Sequence, residues 1–180
     1  MVTIIRERVI MNISYTRTQK TLHWLLAALV LFWLFVSGNF VETAEGEQKG
    51  MLLMFHSGGA IIILVLTLYR LSLRRKNTVP PMFELKAWEK TWSVRNHLTF
   101  YVLICLMVAS GIMQGIFFEQ DVRVFGLVNI TVSHNESVVR VFHLLHELIA
   151  SLLKLLIAVH ILAVLKHQFV DKLAILKRMT

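Results

Sequence analysis

Four histidines fall within one apolar run, "RVFHLLHELIASLLKLLIAVHILAVLKHQ", at 140–168: His143, His146, His160 and His167. An ionisable side chain is costly in a lipid-length segment and marks a functional site by default. His146 and His160 are fourteen positions apart. At 100° and 1.5 Å per residue they share one helix face, roughly 40° apart around the axis and roughly 21 Å apart along it. His143 and His167 fall on about the same face. Two more histidines precede them singly, His23 in "TLHWLL" and His56 in "FHSGGA". A neutral imidazole binds a metal through one nitrogen. Two imidazoles from facing helices at matched depth are what a b-type haem iron requires of a bundle. Zinc bound by histidines alone needs three or four converging at one depth, whereas these histidines divide into two separated levels.

The elements that must position them are helices. The chain is 56% hydrophobic and 17% charged, against about 25% charged in a soluble domain, and its mean hydropathy is +0.65. Four apolar stretches lie near 22–41, 51–73, 97–118 and 141–165, each close to the roughly 20 residues that cross a bilayer. No run of short alternating segments suggests a β-barrel. The expected fold is an all-α integral membrane protein, a four-transmembrane-helix bundle forming one domain over 1–180. The first stretch follows Arg6, Arg8, Arg17 and Lys20. It exceeds a signal-peptide core and lacks a small-residue cleavage site, so it reads as a retained helix. The segment "FELKAWEKTWSVRNH", at about 83–96, reads as a short interfacial helix with Trp88 and Trp92 at headgroup level. Cys105, the single cysteine, reads as a small buried hydrophobe with no disulfide partner.

Charge fixes the expected orientation. The N-terminal arm, the loop 70–96 and the tail 166–180 hold fifteen Lys/Arg and four Asp/Glu; the segments 42–50 and 119–147 hold three and seven. The positive-inside rule then puts both termini in the cytoplasm. It also accounts for the net charge of +8 without a nucleic-acid partner. His56 and His146 come to one depth near the outer surface, His23 and His160 to one depth near the inner surface. Both pairs are expected to ligate haem iron. Small residues stand where a porphyrin would need room: Ser57, Gly58 and Gly59 beside His56, and Gly111 and Gly115 on the third span. Arg70, with Arg74 and Arg75, can pair with haem propionates. His97 and His134 read as packing or loop residues, and His143 stays undecided between ligand and packing. His167, at the membrane edge, suits a quinone headgroup or a propionate. Lys154 stands halfway down the last span with no acid at its depth, which marks it as functional.

"TQKTLHWLLAALV", "FHSGGAIIILVLTLYRL" and "HELIASLLKLLIAVH" together resemble the bacterial cytochrome b561 family, over nearly the whole chain from about Met11. The resemblance implies an inner-membrane protein with two b-type haems, the outer ligated by His56 and His146 and the inner by His23 and His160. It also implies electron exchange with ubiquinone. One branch of the family oxidises superoxide outside and reduces quinone; another serves as the cytochrome b subunit of membrane hydrogenases and similar complexes. The net acidic outer segments, Glu42, Glu45, Glu47, Glu119, Asp121 and Glu136 against Lys49, Arg123 and Arg140, depart from the positive funnel that steering of superoxide would favour. They suit a basic periplasmic redox partner instead. A haem-free bundle with packing histidines is the remaining alternative.

Overall fold

The computed structural model describes residues 15–180; the N-terminal arm with Arg6, Arg8 and Asn12 lies outside the described residues. Four helices are long and apolar enough to cross a membrane: α1 (Arg17–Thr43), α2 (Gly46–Lys76), α3 (Ala87–Ile116) and α4 (Glu136–Val170). The four-helix architecture expected from hydropathy is therefore the observed one. A two-stranded antiparallel hairpin, β1 (Arg123–Val124) and β2 (Val128–Asn129), pairs Arg123 with Asn129 and Val124 with Val128 between α3 and α4.

Local chemistry sets the helix ends. Thr16 and Gln19 form a capping box at the start of α1, which satisfies two otherwise unpartnered N–H groups. Gln19 is buried, and its amide also donates to the carbonyls of Leu73 (3.5 Å) and Asn77 (3.1 Å) where α2 ends. One side chain thus caps α1 and clamps it against α2. Thr16→Ala is expected to lower stability by about 1 kcal/mol, read as a fall in the thermal midpoint of detergent-purified protein. The chain's tail folds onto the same end: Trp24 donates from Nε1 to the Met179 carbonyl (2.8 Å), and Arg178 donates to the Pro80 carbonyl (2.9 Å). We call this the terminal end. At the opposite, hairpin end, Val132 N–H bonds the Ile116 carbonyl (2.9 Å). There Thr131 Oγ1 donates to the Gly115 carbonyl (2.9 Å).

Two small buried clusters tie the helices together. Leu22 and Leu26 of α1 pack on Ile63 of α2; Leu34 of α1 packs on Ile149 and Leu153 of α4. The remaining surface of the bundle is aliphatic and open, with Val65, Leu106, Leu155 and Leu162 all about half exposed or more. Such a surface suits lipid, where close packing rather than exclusion from water holds helices together.

One expected element differs. The segment 83–96 is not a separate interfacial helix: α3 begins at Ala87 and runs without a break to Ile116. The Glu89 carboxylate accepts from the Lys86 N–H (2.9 Å), which starts the helix ten residues earlier than hydropathy suggested. Trp88 and Trp92 remain exposed, as expected at headgroup level.

α1 also contains a π turn, Trp33–Ser37. Such wide turns rotate the side chains beyond them and recur at functional sites.

Candidate functional site

At the hairpin end, α2 and α4 bring His56 and His146 together edge to face, with ring centroids 6.4 Å apart and ring planes inclined at 61°. Each ring is held by a hydroxyl from a third or fourth helix. Ser37, at the end of the π turn, lies 2.9 Å from His56 Nδ1; Ser110 of α3 lies 2.9 Å from His146 Nδ1. The Ser110 hydroxyl donates to the Met107 carbonyl (2.8 Å), so its lone pair faces the imidazole. That arrangement puts the proton of His146 on Nδ1 and leaves Nε2 bare. The His56 backbone carbonyl accepts from Trp33 Nε1 (3.0 Å), which fixes the helix turn that carries the ring.

At the terminal end, His160 of α4 has one histidine ring against it and a second within electrostatic range. His97 of α3 lies with its ring centroid 5.7 Å away and Phe100 packs at 5.8 Å. His23 of α1 is an electrostatic neighbour of both His160 and Arg70. Asn96 Nδ2 is 3.1 Å from His160 Nδ1; exchange of the amide oxygen and nitrogen by a 180° rotation lets the contact serve either tautomer. Arg70 donates to the Gln19 carbonyl (3.1 Å) and, with Arg74, lines a small cavity together with His97 and Tyr101. Two guanidiniums and an imidazole around one cavity make it a place for an anionic group.

The sequence-predicted residues divide accordingly. His23, His56, His146, His160 and Arg70 stand in these two clusters. His97, expected to be a packing residue, instead adjoins His160. His143 lies against Gln114 (3.3 Å) and Glu147 (3.5 Å) and is half exposed, an electrostatic neighbour of His146 with its own ring nitrogens engaged elsewhere. His134 is exposed in the loop before α4.

The glycines also differ from expectation. A Cβ at Gly58 would meet the Phe125 ring at 2.6 Å, at Gly59 the Trp33 ring at 1.7 Å, and at Gly115 Ile130 at 2.6 Å. These three admit neighbouring side chains, not a flat macrocycle. Gly111 alone faces a predicted ligand, with the position of its absent Cβ 3.3 Å from His146 Cε1. Sequence reasoning missed Ser37, Ser110 and Asn96. Their only signal was a polar residue inside an apolar helix.

His167 is tied into a different network. Its Nδ1 lies 2.7 Å from Asp171, and Lys166 bridges Asp171 (2.6 Å) and Glu89 (3.2 Å). The donor atoms of Glu89, His167 and Asp171 lie within 4.8 Å of one another, but the Lys166 ammonium already sits among them. Hydrogen bonds from Lys166 and then His167 hold the Asp171 carboxyl below the usual carboxylate range. A depressed carboxylate pKa stabilises above the unfolded value, about 3.9, and the benefit disappears as pH falls through the folded value. Backbone amides of 166–171 are therefore expected to lose hydrogen-exchange protection below about pH 4, and Asp171→Asn to abolish the difference.

Orienting partners of metal-bound histidines typically change metal affinity 10–100-fold when removed. Ser37→Ala and Ser110→Ala are each expected to weaken retention of a metal centre at the hairpin end by that order, read by loss on dilution and gel filtration. Unchanged retention in both would show the hydroxyls to be bystanders.

A protein-family model described as prokaryotic cytochrome b561 matches residues 14–180 of the chain.

Proposed function

The chain belongs to the prokaryotic cytochrome b561 family, a family of membrane proteins that transfer electrons with haem b, and from that premise we propose a di-haem cytochrome of the inner membrane. It moves single electrons between a donor on the periplasmic side, superoxide being the first candidate, and ubiquinone. His56 and His146 would hold one haem, His23 and His160 the other. Both termini face the cytoplasm, on the charge asymmetry of the loops. When bound, haem b supplies reversible one-electron chemistry at its iron.

The paired histidines fit that group as ligands. Histidine nitrogens lie about 2 Å from a first-row metal ion, so two on opposite sides of one iron put their ring centroids roughly 6 Å apart. The His56–His146 centroid separation of 6.4 Å agrees with that spacing, and this single observation carries the reading. The Ser110 contact adds the protonation state, since it leaves His146 Nε2 free to bind. Ser37 and Ser110 orient their rings, Arg70 and Arg74 offer charge to propionates at the terminal end, and His167, held by Asp171, is the candidate for the quinone side. The protein's contribution is ligand position, depth and dielectric.

A second reading has its own support. Arg123 and Arg140, two of the three hairpin-side cations, are paired with Asp121 and Glu136, which weakens any steering of a small anion. The hairpin tip exposes Leu127 and Val128. Both features suit docking of a larger redox protein, with this chain as the haem-bearing membrane subunit.

The first test is a pyridine haemochrome assay with a reduced-minus-oxidised spectrum on detergent-purified protein. The expected result is two haem b per chain; absence of haem from folded protein of a haem-replete host would overturn the proposal. Superoxide-driven reduction of ubiquinone by the isolated chain is then expected under the first reading. Its absence, with co-purification of a redox protein, is expected under the second.

A further inference from the structure

Lys154 is the one basic side chain of α4 between His146 and His160; the one acid there, Glu147, lies seven residues away beside His146 and faces His143 at 3.5 Å. Lys154 is half buried, and among the described residues no carboxylate pairs with it. Its Nζ lies over the Phe35 ring, 5.6 Å from the centroid, within the range of a cation–π contact. A cation without a counterion at this depth is costly to keep.

Its height in the bundle follows from its neighbours. Phe35 belongs to the π turn that ends at Ser37, and Ser37 is the residue against His56 Nδ1. Phe35 is thus two residues, about 3 Å of helix rise, from the level of the His56–His146 pair. The backbone of Lys154 is roughly 12 Å along α4 from His146 and roughly 9 Å from His160. Helical side chains lean toward the N-terminus of their own helix, which for α4 is the hairpin end. The contact with Phe35 is that lean made visible: it carries the ammonium away from His160 and toward His146.

We propose that Lys154 is a fixed positive charge that raises the electron affinity of the metal centre held by His56 and His146 more than it raises that of the centre held by His160. Reduction of ferric haem adds one electron and no atom, so a neighbouring cation stabilises the reduced form by Coulomb attraction alone. The apolar surroundings and the missing carboxylate leave that attraction little screened. A unit charge roughly 10 Å away, at an effective dielectric near 20, changes a one-electron equilibrium ratio on the order of tenfold. The inference rests on the di-haem reading above.

The test is a spectroscopic redox titration of the α band, in detergent, with dithionite as reductant and ferricyanide as oxidant. It uses the full chain in the His160→Ala background, which retains the hairpin-end centre. At the potential where that protein is half reduced, adding Lys154→Met is expected to leave it about tenfold more oxidised. Lys154→Arg is expected to change nothing, because it keeps the charge. In the His56→Ala background, which retains the other centre, Lys154→Met is expected to have a smaller effect. Unmoved half-reduction in both Lys154→Met and Lys154→Gln, with full haem occupancy, would overturn the proposal. So would a shift with Lys154→Arg as large as with Lys154→Met, or haem loss in both neutral variants, since packing would then be the cause. Absence of haem from the unaltered chain would overturn the di-haem reading instead, and haem counts separate the two failures.

Discussion

On the proposed di-haem reading, replacing His56 or His146 with alanine is expected to remove one and the same haem, so that either change takes the haem-to-chain ratio from two to one and the double variant loses no more than either single one. His23→Ala and His160→Ala are expected to remove the other haem in the same way. The expectation follows from pairing. A bis-imidazole iron that loses one ring is left with a vacant position and a loosened macrocycle, while the second pair lies about 21 Å along α4, beyond local repacking. The terminal-end set supplies the internal control. His160 has His97 at 5.7 Å as well as His23 nearby, and only one of them can complete a bis-imidazole site. His97→Ala is expected to keep two haems and His23→Ala one. The reverse result would give the ligand role to His97 and leave His23 as its neighbour. Retention of two haems in all four ligand variants would end the pairing scheme. Pyridine haemochrome titration against protein concentration measures each case.

Gly59→Leu is expected to lower the thermal midpoint and to release the hairpin-end haem, although residue 59 is no ligand. The position of a Cβ there is 1.7 Å from Trp33 Cζ2 and 2.4 Å from Cε2, so the indole must leave. Overpacking of this kind typically costs 1–3 kcal/mol. Movement of the indole also breaks its bond to the His56 carbonyl and disturbs the π turn that holds Ser37 against His56. Gly50→Leu is the matched control on the same helix, since nothing lies within 4 Å of a Cβ there, and it is expected to leave both haem content and midpoint unchanged. Gly59→Leu with full haem and an unchanged midpoint would mean that Trp33 does not position His56.

The four spans were legible because apolar length is a local property. About twenty residues without charge make a crossing wherever the chain carries them, and α1 to α4 lie where those runs are. The shared face of His146 and His160 was legible for a similar reason: the helical period fixes relative direction within one element. The T-x-x-Q cap of α1 belongs to the same class of local signal. Element ends were less legible. α3 starts at Ala87 because Glu89 caps Lys86 and Lys166 reaches Glu89 from α4, and hydropathy carries no trace of either contact.

What one helix presents to another was decided by the tertiary structure alone. Ser37 meets His56, Ser110 meets His146, Asn96 meets His160, and Gly59 admits Trp33 only once the rotation and offset of each helix are set. In an apolar bundle those are set by packing against neighbours, which no single run of sequence encodes. The same holds for His97, unremarkable at its own position and brought to His160 by the approach of α3 to α4. Sequence placed the candidate histidines along each helix, because that follows from one helix at a time. Structure decided which polar side chain holds each of His56, His146 and His160, because those contacts depend on how the helices meet.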